Sequence, residues 1–299
     1  MFTHQEQLLP VNLIDQNQHC GITANGLNMV RKLEGYSLLV LEVFIIFLNI
    51  LAIIVIFRFK KKYNPDILIF TLAVADLLKA SIPLNMTLVA YLSEKGMAEG
   101  TPSCIVFGWT AFTLNSGIML VMTLMAIDRY VAMCWPFQYK HLLSKKRLIY
   151  TIIAVFAFSG THSALPLVGV GKMRSYNNGS FCHFDFDSTI PVNLGYNIFV
   201  LVLGISMLVV VIFCYTRAMV SVRGLIKRQR RMSAVTRDID GTEQKRQAMN
   251  RMFARLMIVM MMVFCLSWLL FLVSMNTVGL VPYIYRPICV SCSEIYLSI

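Results

Sequence analysis

Charge is what this chain has least of. Only 14% of its 299 residues are Asp, Glu, Lys or Arg, against 57% hydrophobic residues. A mean hydropathy of +0.67 is more apolar surface than a water-soluble core of this size can hide. Acids are scarcest, with 15 Asp and Glu against 27 Lys and Arg. A chain this apolar does not use its net charge of +12 on nucleic acid, so no nucleic-acid partner is expected. No internal repeat of fixed period is present, which removes support for the inverted-repeat plan of many transporters. Clustered membrane acids and metal-spaced histidines are missing as well. Cys289 and Cys292 form a C-x-x-C spacing with no second ligand pair, so neither a metal site nor a redox site is expected, and no cofactor is called for. The first 31 residues lack the compact apolar stretch of a cleavable signal peptide, so the first spanning helix is expected to act as its own anchor.

The apolar residues come in blocks long enough to cross a bilayer, which takes roughly 20 residues as a helix. Six blocks stand out, at Ser37–Phe57, Ile67–Tyr91, Cys104–Cys134, Leu148–Val168, Ile190–Tyr215 and Leu256–Val278. The segment from Pro282 to Ile299 is a candidate seventh. Continuous apolar runs exclude barrel strands, which alternate between lipid and lumen. The expected fold class is an all-α membrane protein, a seven-transmembrane helix bundle whose seventh helix is truncated or atypical. Residues 1–36 read as an extracellular tail and 37–299 as the bundle, with cytoplasmic loop 3 at about 216–255.

Lys and Arg concentrate in alternate loops: Arg58 to Lys62, Lys140 to Arg147, and Arg217 to Arg255 with eleven basic residues. Short basic loops stay in the cytosol, so the N-terminus is expected outside, and the basic face should meet anionic membrane lipids and a protein partner inside. In the third of these loops Arg230 and Arg231 precede Ser233, a basic-directed phosphorylation pattern beside the plainer reading of a solvated loop.

Ionisable groups inside spanning helices are costly and are functional suspects. Asp76, in "TLAVADLLKA", lies mid-span and needs a partner, for which Asn49 on the neighbouring helix is the candidate; a purely structural contact is the plainer account. Glu42 is expected to reach towards the interface. At the inner end of the third block stand Asp128, Arg129 and Tyr130. A plain positive-inside anchor would need Arg129 but gives no reason for Asp128. A guanidinium that can pair with its neighbour, or release it and donate to another protein's backbone, is a two-state switch. On the outer side, Cys104 and Cys182 are free to bridge in an oxidising compartment, with unpaired thiols or competition from Cys20 as alternatives. "NGS" at Asn178 to Ser180 is a glycosylation sequon, whereas "NMT" at Asn85 lies within a helix.

Taken together, Asn49, "LAVADLL" with Asp76, Cys104, "DRY" at Asp128 to Tyr130, Pro136, Cys182 and "CLSW" ending at Trp268 resemble the rhodopsin-like G-protein-coupled receptors. The likeness covers most of the chain through the sixth helix. Within that class, "AYLSEKG", "CIVFG", "PFQY" and "ALPLVGVGKMRSYNNGSFCHF" are similar to prostanoid receptors. The resemblance implies a Cys104–Cys182 disulfide, coupling to a heterotrimeric G protein, and a small lipid-like anionic ligand at a multi-pass receptor of the plasma membrane. It further implies that Tyr91, Ser180 and Arg286 hold the ligand's carboxylate and that Trp268 is the sixth-helix aromatic. The sequence departs from the pattern where Asn178 to Phe181 replace Pro-Gly-Thr-Trp and where His183 replaces Phe. Leu270 stands at a common proline position, the fourth helix has no Trp, and "YRPICVSCSEIYLSI" lacks the Asp/Asn-Pro-x-x-Tyr ending. A receptor relative without a working seventh helix is therefore the alternative reading, and a small transporter a remote one.

Overall fold

The computed structural model describes residues 24–58, 63–93, 96–176, 179–185, 190–235 and the single positions 259, 262 and 266. Five of its helices are long and apolar enough to cross a membrane. The first span is α1 (Ala24–Arg58), which starts well before Ser37. The second joins α2 (Asn64–Lys79), a π-helical turn (Ala80–Leu84) and α3 (Asn85–Leu92). The third is α4 (Pro102–Cys134), followed by the short α5 (Pro136–Leu142). The fourth is α6 (Lys145–Ser163), which runs into a 3-10 turn at Leu165–Val168. The fifth, α7 (Pro191–Val235), continues through the first half of the basic loop. Between the fourth and fifth lies an antiparallel hairpin, β1 (Met173–Tyr176) and β2 (Phe181–Phe184). Apart from those three positions, the sixth and seventh blocks, with Trp268 and Arg286, lie outside the described residues.

The helix starts carry their own signals. Thr101 precedes Pro102 in extended backbone, and its side chain accepts from the Cys104 N–H at 3.4 Å. Ser144 accepts likewise from the Arg147 N–H at 3.5 Å. At α2 the carboxylate of Asp66 accepts from the Tyr63 N–H at 2.7 Å. Each device occupies a backbone donor that an α-helix leaves without an internal partner, at an end of the span where the next polar group is out of reach.

Helix α4 is the hub, packing against the second, fourth and fifth spans. Leu68, Val121, Met125 and Leu148 form one cluster around it, and Ala126, Met207, Val211, Cys214, Tyr215 and Ala218 another. The first span touches the rest along a narrow stripe. Gly35, Glu42 and Ile56 are buried along it and are spaced by multiples of seven residues, which brings positions back to one helix face. The outward positions, such as Phe44, Phe47 and Val40, are 59%, 61% and 69% exposed, as a surface solvated by lipid requires. Glu42 is thus not at the interface: at 6% exposure it faces the second span, because its place in the stripe outweighs its nearness to the helix end.

The third and fourth spans approach closely at Gly117, where a Cβ would lie 2.5 Å from Cε1 of Phe156. Gly117→Ala should therefore cost about 1–3 kcal/mol by overpacking, read as a lower thermal unfolding midpoint of the detergent-solubilised protein. Gly195→Ala on α7, where a Cβ meets nothing within 4 Å, should leave that midpoint unchanged or raise it.

Candidate functional site: a switch and a lid at opposite ends of one helix

Asp128 and Cys104 stand at opposite ends of α4, so a single rigid rod links two very different polar environments. At the Asp128 end the carboxylate is fully buried, a state that carboxylates tolerate only with partners. Two are present. Nη2 of Arg129 lies 3.2 Å from Oδ2 as an ion pair, and the Tyr139 hydroxyl donates to Oδ1 at 2.8 Å. Burial pushes the Tyr139 phenol well above its ordinary range, and the neighbouring Asp128 carboxylate adds to the shift, so the phenol keeps its proton and remains a donor. Tyr139 reaches Asp128 because α5 folds back immediately after α4, at Trp135 and Pro136. The Asn64 amide, at the start of α2, donates to the Leu143 carbonyl at 2.7 Å and ties that fold-back to the second span. Tyr130 turns to the other side, its ring 5.7 Å from Trp135 and 5.8 Å from Phe213, while Ser221 donates to the Met133 carbonyl at 3.0 Å. Arg129 is thereby held by its neighbouring acid, while Tyr130 and Met133 meet the fifth span. Beside this ion pair Phe137 is 99% exposed.

At the Cys104 end the hairpin is bolted across the bundle. Cys104 and Cys182 form the disulfide. One face of the hairpin, with Met173, Cys182 and Phe184, is buried, and the Phe184 ring packs 3.8 Å from that of Phe112 and 4.8 Å from that of Tyr196. The segment before α4 clamps the turn: the Met97 N–H donates to the Gly179 carbonyl at 2.7 Å and Ser175 Oγ donates to the Met97 carbonyl at 2.6 Å. Gly179 has φ +87°, and a Cβ there would lie 2.5 Å from the Gly96 Cα, so this crossing of two chains admits only glycine. Lys172 pairs with Glu99 at 2.6 Å at the rim. Ser180 is fully buried under the turn, and Tyr91 is half-buried near the end of the second span. Asn178 lies outside the described residues.

Between the two ends Asp76 is half-buried, with Lys79 one turn further along α2. The Asn49 amide donates to the Ile45 carbonyl of its own helix at 2.9 Å, so its hydrogen bond stays on the first span. Among the described residues no group of three or more His, Cys, Asp or Glu side chains is arranged to hold a metal ion.

Sequence reasoning finds Asp128, Arg129 and the cysteine pair, and misses Tyr139, Phe137 and Lys79. Tyr139 carries no signal, because its contact depends on the fold-back of α5. Lys79 is open to the same rule that exposes Asp76, since it lies in the same apolar run.

A profile of the rhodopsin family of seven transmembrane receptors matches residues 48–293. The chain belongs to that family, whose members are receptors and not enzymes. It is 26% identical to human Opsin-5 over 64% of this chain and 55% of that protein. It is 26% identical to the mouse prostacyclin receptor over 58% of this chain and 43% of that protein. The chain spans about half the length of the curated relatives it matches. The crystal structure of squid rhodopsin superposes with a TM-score of 0.70 over 81% of this chain and 66% of that one, at 21% identity, which shows the seven-helix fold.

The lid generates a pH expectation. His183 is enclosed by the rings of Phe112 at 4.5 Å, Phe184 at 6.0 Å and Tyr176 at 6.5 Å, and burial lowers its pKa from 6.5 to about 4. The charged groups near it on the hairpin are Arg174, its cross-strand partner, and Asp185, which pairs with Arg174 at 3.6 Å; α4 brings none. A base whose pKa is lowered by docking stabilises the docked lid fully above pH 6.5, and that stability falls as pH drops from 6.5 towards 4. Between pH 7.4 and 5 the lid's opening equilibrium should rise on the order of 20-fold, read by hydrogen exchange of residues 173–184. His183→Phe should make the exchange, corrected for its intrinsic rate, independent of pH.

Proposed function

We propose that this chain is a cell-surface receptor that binds a lipid-like carboxylate on its outer side and activates a heterotrimeric G protein on its inner side. It sits in the plasma membrane with the N-terminus outside, as the basic loops favour. The observation that carries the reading is the pairing of a held charge with a bare aromatic at the cytosolic end of α4. Arg129 is locked to Asp128 at 3.2 Å, and Phe137 stands 99% exposed beside it. Releasing the lock frees a guanidinium to donate to a partner's backbone carbonyls, and Phe137 offers that partner an apolar contact. The opposite end of the same helix carries the clamped lid, so a ligand that shifts α4 under the lid moves the lock as well.

The ligand class rests on the prostanoid resemblance and on the likeness to the mouse prostacyclin receptor, with Opsin-5 equally similar at this identity. The carboxylate contacts are Tyr91, Ser180 and Arg286. The route to them passes the lid, whose buried Ser180 presents its hydroxyl only if the turn at Gly179 loosens. Asp76 and Asn49 supply polarity to the middle of the bundle, Trp268 the sixth-helix aromatic, and Asn178 a sugar-acceptor site on the outer loop.

Two measurements test this reading. In membranes from cells expressing the chain, a panel of prostanoids should stimulate guanine-nucleotide exchange, and Arg129→Ala should abolish the stimulation while surface expression stays unchanged. A panel without any active member, at normal surface expression, rejects the ligand class. Tyr139→Phe removes one of the two partners of the buried Asp128 carboxylate and should raise exchange without ligand several-fold. Unchanged basal exchange would take Tyr139 out of the lock.

A further inference from the structure

Mid-bundle polarity is not exhausted by Asp76. Lys79 lies one turn nearer the lid end, half-buried, and it couples electrostatically to Asp76. A lysine at this depth is too unfavourable to be incidental. Its position shows which way it points. Lys79 follows Leu68 by eleven residues, which returns it to nearly the same face of the helix, and Leu68 packs on Val121 and Met125 of the third span. Lys79 therefore projects towards α4 and away from lipid.

The third span answers with Asn115. It is exposed although it sits in the middle of α4. Two positions on, Gly117 packs against Phe156 of the fourth span, and two residues make a rotation of about 200°, so Asn115 points away from the fourth span. The second and fifth spans flank α4, which leaves the interior of the bundle as the direction of its amide. The two residues also lie at one depth. Lys79 is twelve residues from Tyr91 and Asn115 eleven from Cys104, both at the lid end, or about 18 Å and 16 Å down their helices at 1.5 Å per residue. Neither side chain makes a hydrogen bond among the described residues.

We propose that Lys79 and Asn115 form a second polar station in the bundle, which binds an acceptor oxygen of the ligand well below the carboxylate contacts at the lid end. Lys79 supplies a cation and Asn115 a neutral donor. Asp76 lies one turn beyond Lys79 from the lid, so it does not stand between the ammonium and a ligand that enters from above. The proposal deepens the receptor reading and rests on it for the amphipathic class of the ligand. It specifies that the ligand carries oxygen at both ends and is not a plain fatty acid.

The station can be tested without any ligand. In an Asn115→Cys chain, the added thiol should react faster with the anionic reagent sulfonatoethyl methanethiosulfonate than with its cationic trimethylammonium counterpart, each rate taken above that of the parent chain. With Lys79→Met added, the ratio of the two rates should fall on the order of tenfold, the scale of one unit charge acting across several ångströms. With Lys79→Arg added, which keeps the charge, the ratio should persist. An unchanged ratio in the Lys79→Met chain, loss of it in the Lys79→Arg chain, or no reaction of the introduced thiol with either reagent overturns the proposal. Because no prostanoid is used, such a failure is distinct from the failure of the ligand panel.

Discussion

A buried carboxylate must be answered by donors, and at Asp128 the fold is arranged around that need. Removing the ion from water is strongly unfavourable, and the offset comes from two directions: a guanidinium on the adjacent residue and a phenol that returns from α5. The second partner exists only because the chain doubles back at Trp135 and Pro136. That turn is anchored in its place by the Asn64 amide at 2.7 Å from the Leu143 carbonyl. One electrostatic demand thus fixes the relation of the second, third and fourth spans at this end. In the proposed switch the same demand is met differently, with Arg129 released to a partner protein.

At the lid end the demand is of another kind. The hairpin is covalently held through Cys182, but the disulfide constrains one point only. What orients the strand around it is apolar contact, Phe184 on Phe112 and Tyr196, and two hydrogen bonds to Met97. The Gly179 crossing brings both chains within backbone contact. Helix α4 carries both constraints. Along its inner half α4 meets the fifth span through side-chain packing in the Ala126 cluster, the Ser221 hydrogen bond to the Met133 carbonyl and the Cys134 thiol 3.8 Å from the Arg217 carbonyl.

The spans are legible in the sequence because lipid imposes one rule on every helix at once: backbone groups pair internally and outward side chains are apolar. The "DRY" triplet is legible for a related reason, since an acid where hydrocarbon ends has no trivial explanation. Glu42 is misjudged when nearness to a helix end is weighed above the stripe of Gly35, Glu42 and Ile56, which decides the direction of the side chain. Asn49 is the expected partner of Asp76 on the neighbouring helix, yet its amide donates to the Ile45 carbonyl, a local hydrogen bond that the helix places within reach. Tyr139 is invisible, because contact across eleven residues and a turn is set by tertiary geometry and leaves no periodic trace.

The middle of the bundle shows why depth matters as much as residue type. Asp76 and Lys79 are neighbours on one face of α2, so as a pair they carry no net charge, and their joint cost in lipid is far below that of either alone. Their order along the helix still matters. With the cation nearer the lid, a group approaching from that side meets positive potential, while from the Asp128 side it meets negative. The π-helical turn begins at Ala80, immediately after Lys79, and shifts the facing of α3 relative to α2. Tyr91 and Lys79 are therefore presented by one span at two depths through a local change in winding.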